Sequence, residues 1–269
     1  MLIIYKKLVY HVVLNFQKVL LFSLIDLEAL ISLKNSDLRY LELSNCSQMV
    51  NLNSLNSILL NSSKLEILDL AGCKNVDGSI FEKISEHMTC LRWFTLTQND
   101  KIVAEDLAPL CKVQSLELLS LAECTKIRQN PLTKIILSLK NLQRVDVAKI
   151  EQFGCDIFED EEIDKNLLHP RMSRSINMSS CGFSSPEKIS RFFSHFPNIC
   201  SVAISGCDSV EDKIIESICN ECKSIHALDI THCTSITDKS LSSISKLPLR
   251  SLVAAYFVFV YSFLEIFLI

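Results

Sequence analysis

A chain of 269 residues, 48% hydrophobic, can bury a substantial core as one large domain or two ordinary ones. Its net charge of −4 leaves no clustered basic excess, so nucleic acid is not an expected partner. With five glycines and neither GxGxxG nor GxxxxGK followed by Ser or Thr, the common phosphate-cradling loops are excluded. Residues 1–33 are apolar but broken by Lys6, Lys7, His11, Asn15, Gln17, Lys18, Asp26 and Glu28, and no small-residue cleavage site follows the run Val19 to Ile25. The segment therefore does not read as a signal peptide. The twelve cysteines of so long a chain then point to a reducing setting, cytoplasmic or nuclear, rather than to a secreted disulfide framework.

Along the chain one phrase returns. "LRYLELSNCSQM" begins at Leu38, "LEILDLAGCKNVDG" at Leu65, "LELLSLAECTKI" at Leu116 and "IHALDITHCTSI" at Ile225. Written L-x-x-L-x-L-x-x-C-x-x-I, its cysteine slot falls at Cys46, Cys73, Asn99, Cys124, Ile150, Cys181, Cys207, Cys233 and Phe257. Successive slots are 27, 26, 25, 26, 31, 26, 26 and 24 residues apart. The slot three places later holds Met49, Val76, Ile102, Ile127, Phe153, Ser184, Val210, Ile236 and Val260, of which only Ser184 is polar. A weak earlier copy, Val9, Val12, Leu14, Gln17 and Leu20, makes residues 1–37 a degenerate first repeat.

The alternating part of each phrase, such as Leu68 and Leu70, predicts a short strand with one buried face. Between phrases lie helical patterns: in "GSIFEKISEHM", Ile80, Ile84 and Met88 recur every fourth residue. No such unit can bury its apolar side alone, so the units stack. The expected fold is an α/β leucine-rich-repeat solenoid, a horseshoe with a concave parallel sheet and convex helices. Its repeats run over residues 38–257, followed by a hydrophobic tail, 258–269. The cysteine slot, where the chain turns inward over the core, takes a small and nearly apolar residue. Cys46, Cys73, Cys124, Cys181, Cys207 and Cys233 are expected there as packing residues rather than reactive ones.

A period near 26 with cysteine in that slot, and "CNECKSIHALDITHCTSITDKSL" at 219–241, resembles the cysteine-containing leucine-rich repeats of F-box/leucine-rich-repeat proteins and of the antagonist of mitotic exit network family. Cys222 matches the pre-strand cysteine of that family, and Ile236, Thr237 and Asp238 its turn. "GCDSVED" at 206–212 and "GCKNVDG" at 72–78 are looser copies. The resemblance covers roughly residues 38–250 and implies substrate recognition in SCF-type ubiquitin-dependent degradation. No segment matches an F-box, so SCF adaptor binding is expected only where an F-box lies outside this sequence. Alternatives are a regulator that binds a signalling or cell-cycle protein without an F-box, and a membrane-tethered repeat protein.

No catalytic constellation emerges, and neither enzyme activity nor a cofactor is expected. Cys219 and Cys222 form a CxxC whose nearest further zinc ligands would be Cys200, Cys207, His226, His232 and Cys233, and core packing is the preferred reading. Stacked slots would allow a disulfide ladder, but the interruptions at Asn99 and Ile150 and the reducing setting disfavour it. "FEDEEIDK", 158–165, is expected as a solvated helix face with Ile157, Ile163 and Leu167 beneath it, and "HPRMSR" after it as a flexible loop. Leu252 to Ile269 has one charge in eighteen residues, Glu265, and is read three ways: a membrane-spanning tail, a last repeat, or an aberrant end.

The expected binding site for a protein partner is the concave face. Tyr40, Ile67, Trp93 and Leu118 are expected to stack on successive strands as an apolar stripe, with Arg144 in the same column and Arg39 and Arg92 beside it. Glu42, Asp69 and Asp146 form the acidic column next to it, which suits a partner with basic residues around an apolar anchor.

Overall fold

The computed structural model describes residues 13–15, 38–47, 50, 52–127, 131–150, 173–183 and 185–255. The chain forms two compact units, Met1–Lys126 and Ile127–Ile269. In the first, strands β1 (Val13–Asn15), β2 (Tyr40–Glu42), β3 (Ile67–Asp69), β4 (Trp93–Thr95) and β5 (Leu118–Ser120) pair in chain order, all parallel. In the second, β6 (Arg144–Asp146), β7 (Ser175–Asn177), β8 (Ser201–Ala203), β9 (Ala227–Asp229) and β10 (Ser251–Val253) do the same. Parallel neighbours require a crossover, which explains why strand and helical segments alternate through both units.

The alternating leucines fix the register. Leu41, Leu68, Phe94 and Leu119 occupy one rung of the first unit, and Val145, Ile176, Val202 and Leu228 one rung of the second; all are buried. Onto the inner face of the first unit pack α1 (Leu52–Asn61) through Leu55, Ile58 and Leu59, and α2 (Ile80–His87) through Ile80, Phe81 and Ile84. A 3₁₀ helix, Ala104–Lys112, follows with Leu107 and Leu110 buried. Pro109 lies inside this segment and contributes no N–H to its hydrogen bonding.

The second unit carries α3 (Pro131–Ser138), α4 (Pro186–Phe193), α5 (Asp212–Glu221), a 3₁₀ turn at Asp238–Ser240, and α6 (Leu241–Ile244). Ser185 caps α4 by accepting from the Lys188 N–H at 3.2 Å, and Pro186 supplies the first helical φ. Phe192 packs against Phe196 and Phe193 with ring centroids 4.9 and 5.3 Å apart.

Two backbone features repeat from strand to strand. At the starts of β3 to β5 and β7 to β10, two successive N–H groups converge on one carbonyl of the preceding repeat. Arg92 and Trp93 both donate to Glu66 O at 2.8 and 3.0 Å, and Cys200 and Ser201 to Arg174 O at 2.8 and 2.9 Å. Two residues against one is the geometry of a bulge, and it frees both from strict inward–outward alternation. One position before each cysteine slot the backbone is left-handed: Asn45, Gly72, Gln98, Glu123, Lys149, Ser180, Gly206 and His232 have φ between 56 and 69°. This residue turns the chain inward while its N–H still reaches the next repeat, as Gly72 N to Thr97 O at 2.9 Å. At Gly72 a Cβ would meet the end of the Asn45 side chain, which would have to swing aside for any larger residue.

Several expectations change. The weak first repeat is shifted: Leu14 pairs with Leu41, so Leu14 fills the second-leucine position expected for Val12. Ser173, expected in the flexible "HPRMSR" loop, is buried at the first-leucine position, where its hydroxyl donates to Leu142 O at 2.7 Å. The strand Ser251–Val253 gives the beginning of the apolar C-terminal stretch the last-repeat conformation. The helix expected over 158–165, the slots at Met49, Phe153, Ser184, Phe257 and Val260, and the tail 258–269 lie outside the described residues.

Candidate interaction surface

The cysteine slots are the inner lining on which the outer face rests. Each thiol donates to the carbonyl of the third apolar strand position in the repeat before it. Cys73 reaches Leu43 O at 3.0 Å, Cys124 Leu96 O at 3.0 Å, Cys181 Val147 O at 3.2 Å, Cys207 Met178 O at 3.4 Å and Cys233 Ile204 O at 3.0 Å. All five are buried. Burial pushes the thiols of Cys73, Cys181 and Cys207 up to about 12 and that of Cys124 up to about 11; Cys233 is raised for the same reason. Thiols that hold their proton this tightly are poor nucleophiles. Cys46 departs from the set: it is half-buried, and its thiol reaches only Ser44 O at 3.5 Å. Asn99 replaces the single thiol contact with two, Nδ2 donating to Cys73 O at 3.2 Å and to Val76 O at 2.9 Å, while Oδ1 accepts from Lys101 N.

Cys219 and Cys222 of the CxxC are buried in α5 and at its C-terminal end, and the Cys222 thiol points to the carbonyls of Phe193 and Phe196 at 3.7 and 3.5 Å. Among the described residues, no group of three or more His, Cys, Asp or Glu is placed to hold a metal.

On the outward side of the first unit, Tyr40, Ile67, Trp93 and Leu118 are neighbours in one register row. Trp93 is 37% exposed, and Tyr40, Ile67 and Leu118 are half-buried. Arg92 does not stand ready for a partner's acid: its guanidinium forks onto Glu117 at 2.9 and 3.0 Å, and Arg39 pairs likewise with Glu66. Sequence reasoning missed Glu66 and Glu117, although the alternation Arg39, Glu66, Arg92, Glu117 at the repeat period signals the pairing.

The acidic column is also drawn partly inward. Asp69 accepts from Ala71 N at 2.9 Å and from the Ser44 hydroxyl at 2.7 Å, and Asp146 accepts from Ala148 N at 3.2 Å. Asn177 and Asp229 accept from the N–H two residues on in the same way. A short carboxylate or amide at this position braces the inward turn that follows, which explains its recurrence. Glu42 is half-buried at the end of β2. Arg144 and Asp146 lie in the second unit, on β6, apart from the four residues of the apolar row. In that unit the row reads Arg144, Ser175, Ser201, Ala227 and Ser251.

Among the described residues, no helix is long and apolar enough to cross a membrane. A family model described as a leucine-rich repeat matches residues 221–245, the stretch from Cys222 through β9 to α6. No curated protein sequence matches the chain. Of solved structures, the leucine-rich-repeat protein LIC12759 of Leptospira interrogans is similar at a TM-score of 0.51 and 15% identity, covering 86% of this chain and 51% of that one. An internalin, inlF, from Listeria monocytogenes is similar at 0.48 and 16% identity, covering 82% and 69%. TLR13 in its complex with ssRNA13 is similar at 0.49 and 16%, covering 80% and 32%. The repeat match, the parallel strands and the likeness to LIC12759 establish the fold as an α/β leucine-rich-repeat solenoid.

Proposed function

We propose that this chain is a protein-binding module, acting by recognition rather than catalysis, that takes its partner on the strand face of its first unit. The observation that carries this reading is the row Tyr40, Ile67, Trp93, Leu118, which sets four large apolar side chains side by side on the outward face. The inner core does not need them: it is filled by Leu41, Leu68, Phe94 and Leu119 on the opposite face. A half-buried apolar row with the chain's only tryptophan exposed in it has the composition of a binding hot spot. The ion pairs Arg39–Glu66 and Arg92–Glu117 border the row as a neutral polar rim.

We further propose that the partner is a substrate brought to SCF-type ubiquitin ligation in the cytoplasm or nucleus, the role implied by the cysteine-slot repeats. Trp93→Ala is expected to weaken binding of a partner captured from cells by about 2 kcal/mol or more, roughly a 30-fold rise in Kd, with the unfolding midpoint nearly unchanged. Calorimetric titration of that partner gives the value, and an unaltered Kd would move the site off this row. Co-purification of the full gene product with the SCF adaptor supports the ligase role; failure to do so favours a regulator that binds a signalling or cell-cycle protein.

A further inference from the structure

The second unit repeats the inner columns of the first but not its outer chemistry. At its strand starts the residues are Gln143, Arg174, Cys200, His226 and Arg250, and the backbone ladder sets them in that order. Arg174 N donates to Gln143 O at 2.7 Å, Cys200 N to Arg174 O at 2.8 Å, His226 N to Cys200 O at 2.8 Å and Arg250 N to His226 O at 2.7 Å. In the first unit the same positions alternate in sign and pair off. Here no acid stands between the cations. Arg174 and Arg250 are exposed, and neither side chain makes an ion pair or hydrogen bond among the described residues. Next to this row stand Ser175, Ser201 and Ser251, whose hydroxyls are likewise uncommitted among the described residues.

We propose that this face binds an acidic polypeptide segment in extended form, lying across the strands with its carboxylates on Arg174, Arg250 and the hydroxyls between them. The spacing fits. Neighbouring strands lie about 4.8 Å apart, so three strand steps place Arg174 and Arg250 about 14 Å from each other. An extended chain returns a side chain to the same side every two residues, about 6.7 Å, so acids at positions i and i+4 span about 13 Å. The acid at i+2 then falls over Cys200 and His226. An arginine fork matches a carboxylate geometrically, and seryl hydroxyls can donate to its remaining lone pairs.

The carboxylates of this face do not oppose such a ligand directly. Asp146 and Asp229 stand at the far ends of their strands, each with one oxygen held by the turn N–H that follows. The row and the adjoining hydroxyl stripe offer a single ring, the His226 imidazole, rather than the run of aromatic side chains on which successive nucleic-acid bases stack, which favours a polypeptide.

The test uses the full chain and a fluorescent peptide with Glu at alternate positions, read by fluorescence anisotropy. Binding is expected to weaken with added salt, and the Arg174→Glu/Arg250→Glu double variant is expected to raise Kd at least about tenfold. A control with the same charge change on the helical side, Lys213→Glu/Lys239→Glu, is expected to bind as the parent does. Circular dichroism verifies that both variants are folded, and Arg174→Gln/Arg250→Gln, a milder change, gives the same direction of effect. No binding to the parent chain would overturn the proposal, as would an equal loss in the control. Equal affinity for the alternating Lys peptide would also overturn it. Tighter binding of oligo(dT) or of a peptide with phosphoserine at the same alternate positions would reassign the face to phosphate ligands.

Discussion

At its strand starts the first unit carries Arg39, Glu66, Arg92 and Glu117, each cation paired with an acid on the next strand. The second carries Gln143, Arg174, Cys200, His226 and Arg250, with no acid in the row. One residue further along, the first presents Tyr40, Ile67, Trp93 and Leu118, and the second presents Arg144 and then only small side chains, Ser175, Ser201, Ala227 and Ser251. The inner columns do not differ in this way: Leu41, Leu68, Phe94 and Leu119 on one side and Val145, Ile176, Val202 and Leu228 on the other are uniformly apolar and buried. The contrast separates what holds the repeats together from what they can recognise. Stability resides in the inner columns and slots, and the recognition proposed above draws on the outer columns alone.

The largest test of that separation is alkaline. Among the described residues, the second unit has five thiols raised by burial, Cys181, Cys207, Cys219, Cys222 and Cys233, and the first has three, Cys46, Cys73 and Cys124. A raised thiol keeps its proton while folded but releases it near its ordinary value of 9.0 once unfolded. Above that pH the unfolded chain binds fewer protons, so the contribution to stability is intact below pH 9 and is lost as pH rises toward 12. The second unit should therefore weaken first. Trp93 fluorescence reports on the first unit alone and circular dichroism on both, so on raising pH the ellipticity should fall before the fluorescence changes. Coincident transitions would break the distinction between the units.

A smaller effect separates the slots themselves. Asn99→Ala strands the carbonyls of Cys73 and Val76 and should cost about 2–3 kcal/mol. Cys124→Ala gives up one thiol contact and a little volume and should cost about 1–2 kcal/mol. Urea unfolding followed through Trp93 ranks the two, and the reverse order would mean that volume outweighs hydrogen bonding in the slot. The smallest effect belongs to the rim. A double-mutant cycle on Arg92 and Glu117 should give a coupling below about 1 kcal/mol that vanishes at high salt, since the guanidinium is half exposed. A larger coupling would place the rim among the structural elements instead.

Most of the frame was legible in the sequence because it is periodic. Leu68 and Leu70 announce a strand, and Cys73, Cys124 and Cys233 recur where the chain must turn inward. The outer face was legible only in part. The apolar row follows from register, which the period sets, but the pairing of Arg92 with Glu117 depends on two residues 25 positions apart whose side chains meet across strands. The inward role of Asp69 was hidden because a carboxylate on an outward column looks the same in sequence whether it meets a partner or its own backbone. The left-handed residues escaped notice because only Gly72 and Gly206 bear the usual signature; Gln98, Glu123, Lys149 and His232 hold the same conformation without it.

The doubled N–H contact at the starts of β3 to β5 and β7 to β10 has a consequence for which substitutions such a surface can accept. A plain alternating strand would give each repeat one outward residue before its buried centre, whereas here two neighbours, such as Arg92 and Trp93 or Cys200 and Ser201, both face away from the core. Their backbone bonds are made whatever side chains they carry. Side chains at these paired positions can therefore be exchanged without the loss of a backbone hydrogen bond.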